Sequence, residues 1–424
     1  MLSLEEFIKF AVPKHDREDD WYYAIKVAFV GPNYAETKEV FSLVTGEHEK
    51  TTTTKKINDA LITYAVSPSS HTSDVLRTLA SSDYVVVLAS AVQQEYKASL
   101  EAVGGMNELL TSITGFGLRL SAFAITNLDD PKVTNAQQAY LSTKTSLIKQ
   151  FRSLPGIQRI PFVPVTIHGK DNILAPSKYM GWYTDSVLSE AILKYSVSLK
   201  NDGSGPVRFS VSAVHREPEV GVVATGRLVS GIIRSAGQEV IICHPLLKTE
   251  VKSIKVNGLQ RSSLMIGETG ELNLKNVRGV KSEIDAGSIL ALVGSDSCKP
   301  IYAFTAKLFL DSSIVQGVDK TSVYTFHVDQ QIFKGKIDEI TNTFDVRTNN
   351  VLETELRTAS ARNGVGILAN FEVTGDNYPI LDHPKTFPSL GKGVITNDED
   401  RVMGYFIITQ TKNIIAKNIK NHEN

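Results

Sequence analysis

Residues 26–44 have the sequence KVAFVGPNYAETKEVFSLV, and this stretch decides how the rest of the chain is interpreted. Its apolar beginning predicts a buried strand, Gly31 predicts a turn, and the residues from about Glu36 predict a helix. Nucleoside triphosphate sites carry G-x-x-x-x-G-K-[ST] between such a strand and helix. Their glycines let backbone N–H groups approach phosphate oxygens, the lysine meets the β/γ charge, and the hydroxyl binds Mg²⁺.

This chain keeps only Gly31 of that pattern. Glu36 stands at the second glycine, Thr37 at the lysine and Lys38 at the hydroxyl. A one-residue insertion returns Lys38 to the lysine position, but it leaves Thr37 at the glycine and Glu39 at the hydroxyl. Either register places a carboxylate at the helix N-terminus, where the helix dipole favours an anion. We therefore predict that Glu36 or Glu39 caps this helix where phosphate would dock.

Length and composition set broad limits. A chain of 424 residues with a net charge of −1 predicts two to four domains and no global attraction to nucleic acid or membrane. Cys243 and Cys298 are far apart and lack metal-ligand spacing, which predicts a reducing compartment, no disulfide and no metal site. With no apolar run of about 18 residues and no signal peptide, we expect a cytoplasmic protein.

The first 200 residues alternate between two kinds of segment. Apolar, strand-like segments occupy 60–66, 84–89, 122–130 and 160–165; helices are predicted over 2–12, from about 36, after His71, over 100–114 and over 134–153. The segments 15–20 and 47–58 are predicted to be polar loops. Strands alternating with helices indicate a doubly wound α/β domain with a parallel sheet, over residues 1–200.

The pattern changes after the Gly/Ser/Pro-rich linker at 200–206. Short segments rich in Val, Ile and Thr alternate with glycines at intervals of roughly eight to twelve residues, which is typical of small β-barrels. We predict a first barrel over 206–297, a second over 300–412 and a tail over 413–424. The fold class is thus a multidomain protein with a doubly wound α/β domain followed by two β-barrels.

This domain order and six short segments resemble translational GTPases of the elongation factor one-alpha type. That group includes the class II termination factor and the ribosome-rescue factor that accompanies Pelota. The matching segments are Glu95–Ala98 (E-F-E-A in the family), Pro161–Asn172 (F-V-P-I-S-G-x-x-G-D-N), Trp182–Ile192, Gly221–Gly231 (G-T-V-x-x-G-R-V-E-x-G), Glu250–Ile254 (E-V-K-S-I) and Phe387–Gly393 (Y-P-x-L-G-R-F). The resemblance implies a P-loop-GTPase-like first domain.

The resemblance also assigns positions in the nucleotide site. The family's Asp-x-x-Gly-His element aligns with residues 67–71, and His71 falls at its histidine. His71 is therefore the one catalytic candidate. It either positions a water or is an ordinary loop histidine. The guanine-reading N-K-x-D aligns with residues 127–130, so Asn127 and Asp130 read a base or form a turn. Thr166 belongs to the Pro161–Asn172 run, and Thr51–Thr54 supplies either an Mg²⁺ ligand or a polar loop.

These departures predict a pseudo-GTPase that needs no cofactor, because phosphoryl transfer relies on the cradle, the lysine and Mg²⁺ together. In a milder alternative, GTP binds without Mg²⁺ through Asn127 and Asp130. The implied partners are the ribosome and a release-factor-like or Pelota-like protein. tRNA fits less well, because the first barrel has eleven Lys and Arg against nine Asp and Glu. The other functions left open are a divergent active GTPase and an adaptor for RNA decay.

Overall fold

A computed structural model describes residues 23–57, 60–152, 154, 156–196, 205–218, 220–234, 237–280, 283–294 and 298–414. By their contacts, residues 1–69, 82–102 and 118–200 form one unit, and residues 70–81, 103–117 and 201–424 form another. The predicted helix at 2–12, the charged segment at 15–20 and most of the linker and the tail lie outside the described residues. The predicted domain boundaries stay predictions.

The first unit is built on a six-stranded sheet. Its strands are β1 (Tyr23–Val30), β2 (Thr52–Ile57), β3 (Ala60–Val66), β4 (Tyr84–Ser90), β5 (Arg119–Thr126) and β6 (Phe162–Pro164). The order across the sheet is β2-β3-β1-β4-β5-β6; only β2 runs antiparallel to its neighbour. The apolar runs of the sequence therefore form the central parallel strands, and the predicted α/β class is confirmed.

Six helices occur in the described part of the chain. They are α1 (Tyr34–Thr45), α2 (Thr72–Ala80), α3 (Gln93–Glu101), α4 (Met106–Phe116), α5 (Ala136–Gln150) and α6 (Leu188–Tyr195), with a 3₁₀ turn at Ile157–Arg159. α1 and α6 bury apolar residues on one face of the first unit's sheet, where the rings of Phe29 and Phe41 meet edge to face at 5.8 Å. Within the described residues, no helix has the length and apolar character needed to cross a membrane.

Two predictions about this part of the chain are wrong. Residues 47–58 were expected to be a polar loop, but Thr52–Ile57 forms an edge strand whose Thr54 hydroxyl lies 3.0 Å from that of Thr63. Its consecutive threonines are β-branched, and such residues favour a strand despite their polarity. The helix predicted over 100–114 is instead α3 and α4, separated by a break in which Gly104 has a left-handed φ of 68°.

The second unit contains the first barrel. Its strands are β7 (Arg208–Glu217), β8 (Gly221–Ser230), β9 (Ile233–Arg234), β10 (Glu239–Ile242), β11 (Leu247–Val256), β12 (Leu259–Arg261), β13 (Ser263–Leu264), β14 (Thr269–Leu274) and β15 (Ile289–Leu292). The order is β10-β15-β7-β8-β14-β11-β12, and pairing of β10 with β11 closes the barrel. Gly226 is required where β8 crosses β7, because an added Cβ would lie 2.2 Å from the Ser210 carbonyl oxygen.

The second barrel follows in the same unit. Its strands are β16 (Ile301–Leu310), β17 (Gly317–Asp319), β18 (Val323–Val328), β19 (Gln331–Asp345), β20 (Val351–Leu356), β21 (Thr358–Ser360), β22 (Val365–Thr374), β23 (Lys392–Thr396) and β24 (Val402–Asn413). The order is β18-β23-β24-β16-β22-β19-β20, closed by pairing of β18 with β19. Phenylalanines fill the interior, as in the stacked pair Phe304 and Phe371 with ring centroids 5.1 Å apart. Both predicted barrels are therefore present.

Helices α2 and α4 belong by their contacts to this second unit. The Glu108 side chain of α4 is 2% exposed and accepts a hydrogen bond from Arg401 Nε at 2.9 Å. The Arg227 guanidinium of β8 donates to the Ser81 carbonyl at the end of α2, at 2.9 Å. The Gln330 amide donates to the Arg77 carbonyl at the same distance, 2.9 Å. Cationic and amide donors at a helix C-terminus satisfy carbonyls that the helix leaves open.

The prediction that Cys243 and Cys298 form no disulfide is wrong. They are bonded to each other, with Cα atoms 5.4 Å apart, inside the usual range of about 4.4–6.8 Å. Their side chains are buried in a small apolar cluster with Ile289 of the first barrel and Phe387 of the second-barrel region. The two cysteines are 55 residues apart in sequence, so only the folded barrels bring them together.

Reducing this disulfide is expected to destabilise the protein. A bond that closes a 55-residue loop restricts the unfolded chain, which the chain-entropy model values at about 4 kcal/mol. Urea unfolding should therefore shift to lower concentration when dithiothreitol is added to the wild type. The double variant Cys243→Ser, Cys298→Ser should unfold at that lower concentration with or without reductant. A wild type that responds to reductant no more than the double variant would contradict the bond.

A buried histidine lies in β18 of the same unit. His327 is 2% exposed, and its Nε2 lies 3.2 Å from the Thr396 hydroxyl. Burial, with the charge of Arg77 as a second cause, lowers the pKa of the His327 imidazole to about 3. The native protein therefore holds this imidazole neutral at pH values where the unfolded chain, with a pKa of about 6.5, protonates it.

His327 is expected to make stability fall in acid. Its contribution is fully present above about pH 6.5 and is lost as the pH falls toward the native value. Between pH 7 and pH 5 the wild type should lose about 2 kcal/mol of unfolding free energy more than His327→Gln loses. Urea unfolding of both proteins at the two pH values measures the difference. Parallel losses in the two proteins would show that His327 titrates normally in the native state.

Candidate functional site

The connection between β1 and α1 is only three residues long, from Gly31 to Asn33. α1 begins at Tyr34, and Asn33 is its N-cap: the Asn33 side-chain oxygen accepts the Glu36 backbone N–H at 3.3 Å. The prediction that Glu36 or Glu39 caps the helix is therefore wrong. A short side chain in the extended conformation just before the helix reaches the third N–H of the first turn, which is the usual geometry of an Asn cap.

Thr37 fills the space beside Gly31. Its side chain is 2% exposed, and its hydroxyl donates to the Asn33 carbonyl at 2.7 Å. A Cβ on Gly31 would lie 2.8 Å from this hydroxyl oxygen, so the two residues pack directly together. Lys38 and Glu39 follow on the same turn with half-buried side chains. The position that the lysine has in a phosphate cradle is thus occupied by Thr37, whose hydroxyl bonds the N-cap residue of α1.

The Glu36 carboxylate points toward the loop after β5. It accepts hydrogen bonds from the Asn33 amide at 2.8 Å, the Asn127 amide at 3.0 Å and the Thr126 hydroxyl at 3.3 Å. Asn127 has a left-handed φ of 59°, a conformation that Asn tolerates better than most residues. The structure therefore brings together two residues that sequence reasoning placed in one degenerate site, Glu36 and Asn127, and it joins them directly.

A second carboxylate extends this arrangement. Glu95 of α3 accepts the Ser90 hydroxyl at 2.8 Å and the Lys132 ammonium group at 3.3 Å. The Asn127 amide also lies 3.3 Å from the Ser90 hydroxyl oxygen. We call Asn33, Glu36, Ser90, Glu95, Asn127 and Lys132 the Glu36 network. Glu95 had been noted only as part of a family segment; an acidic residue following a strand end is the signal that could have indicated its role.

Tyr34 joins α1 to the segment after β3. Its hydroxyl donates to the Pro68 carbonyl at 2.9 Å, and the buried Ser67 hydroxyl donates to the Ser69 carbonyl at 2.6 Å. This segment aligns with the metal-linked Asp-x-x-Gly-His element of the family. Sequence reasoning did not identify Tyr34, since an aromatic residue in the first turn of a helix carries no signal of its partner.

On the side where guanine would be read, the polar groups bond to neighbouring backbone. The Asp130 carboxylate accepts the Lys132 N–H at 2.7 Å, which is the geometry of an Asx turn. The Thr166 hydroxyl accepts the Asp171 N–H at 3.3 Å, and the Asp129 carboxylate accepts the Gly169 N–H at 3.3 Å. Asp130 and Thr166 thus stabilise the loops that carry them.

His71 lies at the N-cap position of α2, with an exposed side chain. By its contacts it belongs to the second unit, whereas Gly31, Glu36 and Asn127 belong to the first. Its role in positioning a water stays a prediction. Within the described ranges, no group of three or more His, Cys, Asp or Glu side chains is placed to hold a metal ion.

Comparison with known proteins shows that this chain has relatives of one kind. No protein-family model matches it. Elongation factor 1-alpha of Staphylothermus marinus is 29% identical over 336 residues, covering 78% of this chain and 73% of that protein; the Hyperthermus butylicus factor is 27% identical over 337 residues with the same coverage.

Solved structures with the same fold agree with those relatives. Elongation factor SelB of Methanococcus maripaludis in its apo form aligns with a TM-score of 0.68 and 15% identity, over 93% of this chain and 81% of that one. The GTPase-like domain of S. cerevisiae Ski7, bound to GDP and inorganic phosphate, aligns with a TM-score of 0.70 and 11% identity, over 96% and 100%. The chain is thus similar in sequence to elongation factor 1-alpha, a translational GTPase, and its fold is the one found in that superfamily.

Replacing the Glu36 carboxylate is expected to weaken the first unit. The Glu36 carboxylate accepts three hydrogen bonds with its two oxygens. In Glu36→Gln only one oxygen remains to accept them, and the new NH₂ group is itself a donor that faces other donors. The unfolding free energy should fall by about 1 kcal/mol. Glu39→Gln removes the same charge three residues further along the helix and should cost less than about 0.5 kcal/mol. Equal urea midpoints for the two variants would contradict the network.

Proposed function

We propose that this protein is a translation-factor-like scaffold that does not hydrolyse GTP. In this proposal it binds a release-factor-like or Pelota-like protein and acts at the ribosome in termination, rescue or mRNA surveillance. Its first unit keeps the fold of a GTPase domain without guanine nucleotide. The observation that carries the proposal is the Glu36 carboxylate bonded to Asn127 at 3.0 Å.

The short connection between β1 and α1 supports the loss of phosphate binding. A phosphate cradle needs a loop of free backbone N–H groups ahead of the helix. Here only three residues separate α1 from β1, and the Glu36 N–H is already bonded to the Asn33 side chain. Glu36 also adds a negative charge where the β- and γ-phosphates would lie, so repulsion opposes their binding. These residues do not fit a Mg²⁺-bound triphosphate.

The base-reading positions support the same conclusion. To bind guanine, Asn127 would have to give up the Glu36 carboxylate, and Asp130 would have to leave its turn with Lys132. Charge-assisted hydrogen bonds of this kind contribute more than neutral ones. A nucleotide lacking strong phosphate contacts would have to compensate for these losses through the base alone. The milder alternative, GTP bound without Mg²⁺ through Asn127 and Asp130, is therefore disfavoured.

The charge of the first barrel supports a protein partner rather than tRNA. Its small surplus of cations is partly neutralised by neighbours: Lys275 pairs with Glu250, and Lys255 lies 3.7 Å from Glu217. Arg227 is used to bond the Gly267 and Ser81 carbonyls. RNA affinity depends on several cations that remain available for phosphates. A partner recognised by shape and hydrogen bonding fits this surface better.

Isothermal titration calorimetry with GTP or GDP and Mg²⁺ is expected to give no binding at micromolar nucleotide. Elongation factor 1-alpha of Staphylothermus marinus, measured in the same buffer, serves as the positive control for the fold. A dissociation constant in the micromolar range or below would overturn the proposal in favour of a divergent GTP-binding factor. A phosphate-release assay with ribosomes would then show whether that factor is also an active GTPase.

The partner half of the proposal is tested separately. Purified release-factor-like and Pelota-like proteins should each be mixed with this chain, and one of them should co-elute in size-exclusion chromatography. Elution should be the same with GTP, with GDP and without nucleotide, because the first unit has no ligand to change its state. Failure of both proteins to bind would contradict this half even if no nucleotide binds.

A further inference from the structure

A long connection follows β6 in the first unit. It lies between Pro164 at the end of β6 and Leu188 at the start of α6, and it contains no helix and no strand longer than a single bridge. Connections of more than about 12–15 residues without secondary structure are uncommon in compact domains, and the ordered ones are usually functional. We call its central part, residues 170–180, the Tyr179 loop.

The Tyr179 loop is closed by its own hydrogen bonds. The Ser177 hydroxyl donates to the Asp171 carboxylate. It also accepts the N–H groups of Tyr179 at 3.0 Å and Met180 at 2.8 Å. Ile173 and Met180 are buried, only 2% and 5% exposed, and they fix the loop to the interior of the unit. A loop held in this way loses little conformational entropy when it binds, which favours association.

The apolar side chains between these fixed points are exposed. Tyr179 is 88% exposed and Leu174 is 61% exposed, and Ala175 and Pro176 are exposed as well. Single exposed apolar residues are normal on any protein surface. Here four of them occur within six positions of one closed loop, and Tyr179 is the most exposed large hydrophobic residue in the described part of the chain. Tyrosines are enriched at the centres of protein interfaces.

The charges beside the closure indicate the chemistry of a partner. Lys170 precedes Asp171 and Lys178 follows Ser177, and both lysines are exposed. Among the described residues, neither lysine forms a salt bridge. The loop thus has an apolar tip and two cations at its base. We propose that the tip inserts into an apolar pocket of a protein partner whose rim carries Asp or Glu side chains.

Lysines beside a tyrosine also occur where proteins bind RNA, but this loop is poorly suited to RNA. Stacking along a single strand uses several aromatic rings, and residues 170–180 contain one. Affinity for a phosphate chain depends on several cations, and the loop has two. An apolar pocket uses Leu174 and Tyr179 together. None of these residues belongs to the Glu36 network, so the proposal does not depend on whether nucleotide binds.

The test begins with photo-cross-linking from the loop. The photoreactive amino acid p-benzoylphenylalanine replaces Tyr179 in the full chain, and adducts formed in a lysate of the source cells are identified by mass spectrometry. The same amino acid at Leu141, an exposed position of α5, is the control. A protein joined only to position 179 is purified and measured further. Absence of any adduct specific to position 179 would overturn the proposal.

Binding of the purified protein is then compared between the wild type and two loop variants. Leu174→Ser, Tyr179→Ala should weaken binding at least tenfold, because it removes the side chains that fill the pocket. Lys170→Glu, Lys178→Glu should also weaken binding at least tenfold, and its affinity should rise with added salt, which screens the new repulsion. Lysines in place of the partner's rim carboxylates should restore binding to this charge-reversed variant and weaken binding to the wild type.

Two variants on α5 are matched controls. Leu141→Ser and Lys149→Glu alter an exposed leucine and an exposed lysine of the same unit, and both should leave the affinity unchanged. Circular dichroism should show that every variant remains folded. A cross-linked protein that binds the loop variants as well as the wild type would overturn the proposal. So would an RNA adduct in place of a protein, binding to anionic lipid vesicles that requires Tyr179, or a dimer in sedimentation that Tyr179→Ala abolishes.

Discussion

The hydrogen bond from the Asn127 amide to the Glu36 carboxylate joins the first turn of α1, which follows β1, to the loop at the carboxyl end of β5. In parallel α/β sheets, ligands commonly bind in the crevice outside the carboxyl ends of the strands. Here a side chain spans that crevice, and further contacts within the chain surround it. Asn33 caps the helix, Thr37 packs against Gly31, and Tyr34 reaches the segment after β3. The loops are ordered by the chain's own side chains.

This arrangement changes what the fold can do. In a GTPase, the energy difference between states comes from contacts that the γ-phosphate and Mg²⁺ make and then lose. In the proposed function, the Glu36 carboxylate takes the place of that ligand and, because it is attached to α1, its contacts provide no such difference. The barrels are also well fixed within their own unit, where Glu108 bonds Arg401 and a disulfide joins Cys243 to Cys298. In the proposed function, the protein therefore acts through its surface.

Much of the fold could be predicted from local sequence, and the errors have identifiable causes. The apolar strands at 60–66 and 84–89 agree with β3 and β4 because a buried strand needs an unbroken apolar run. β2 was missed since an exposed edge strand needs no apolar residues. The break between α3 and α4 was missed because Gly104 lies within an otherwise helical composition. For the site, the departures from the family pattern were visible, but Asn33, Tyr34 and Glu95 were not assigned their roles.

The sequence by itself determined the order of the domains, the loss of the phosphate-binding pattern and the resemblance to translational GTPases. These properties depend on residues that are close together in the chain. Only the tertiary structure decided that Glu36 bonds Asn127, 91 residues away, and that Cys243 bonds Cys298, 55 residues away. The physical reason is that a side chain's partner is set by which strand ends and barrel walls pack together, and sequence spacing carries no information about that distance.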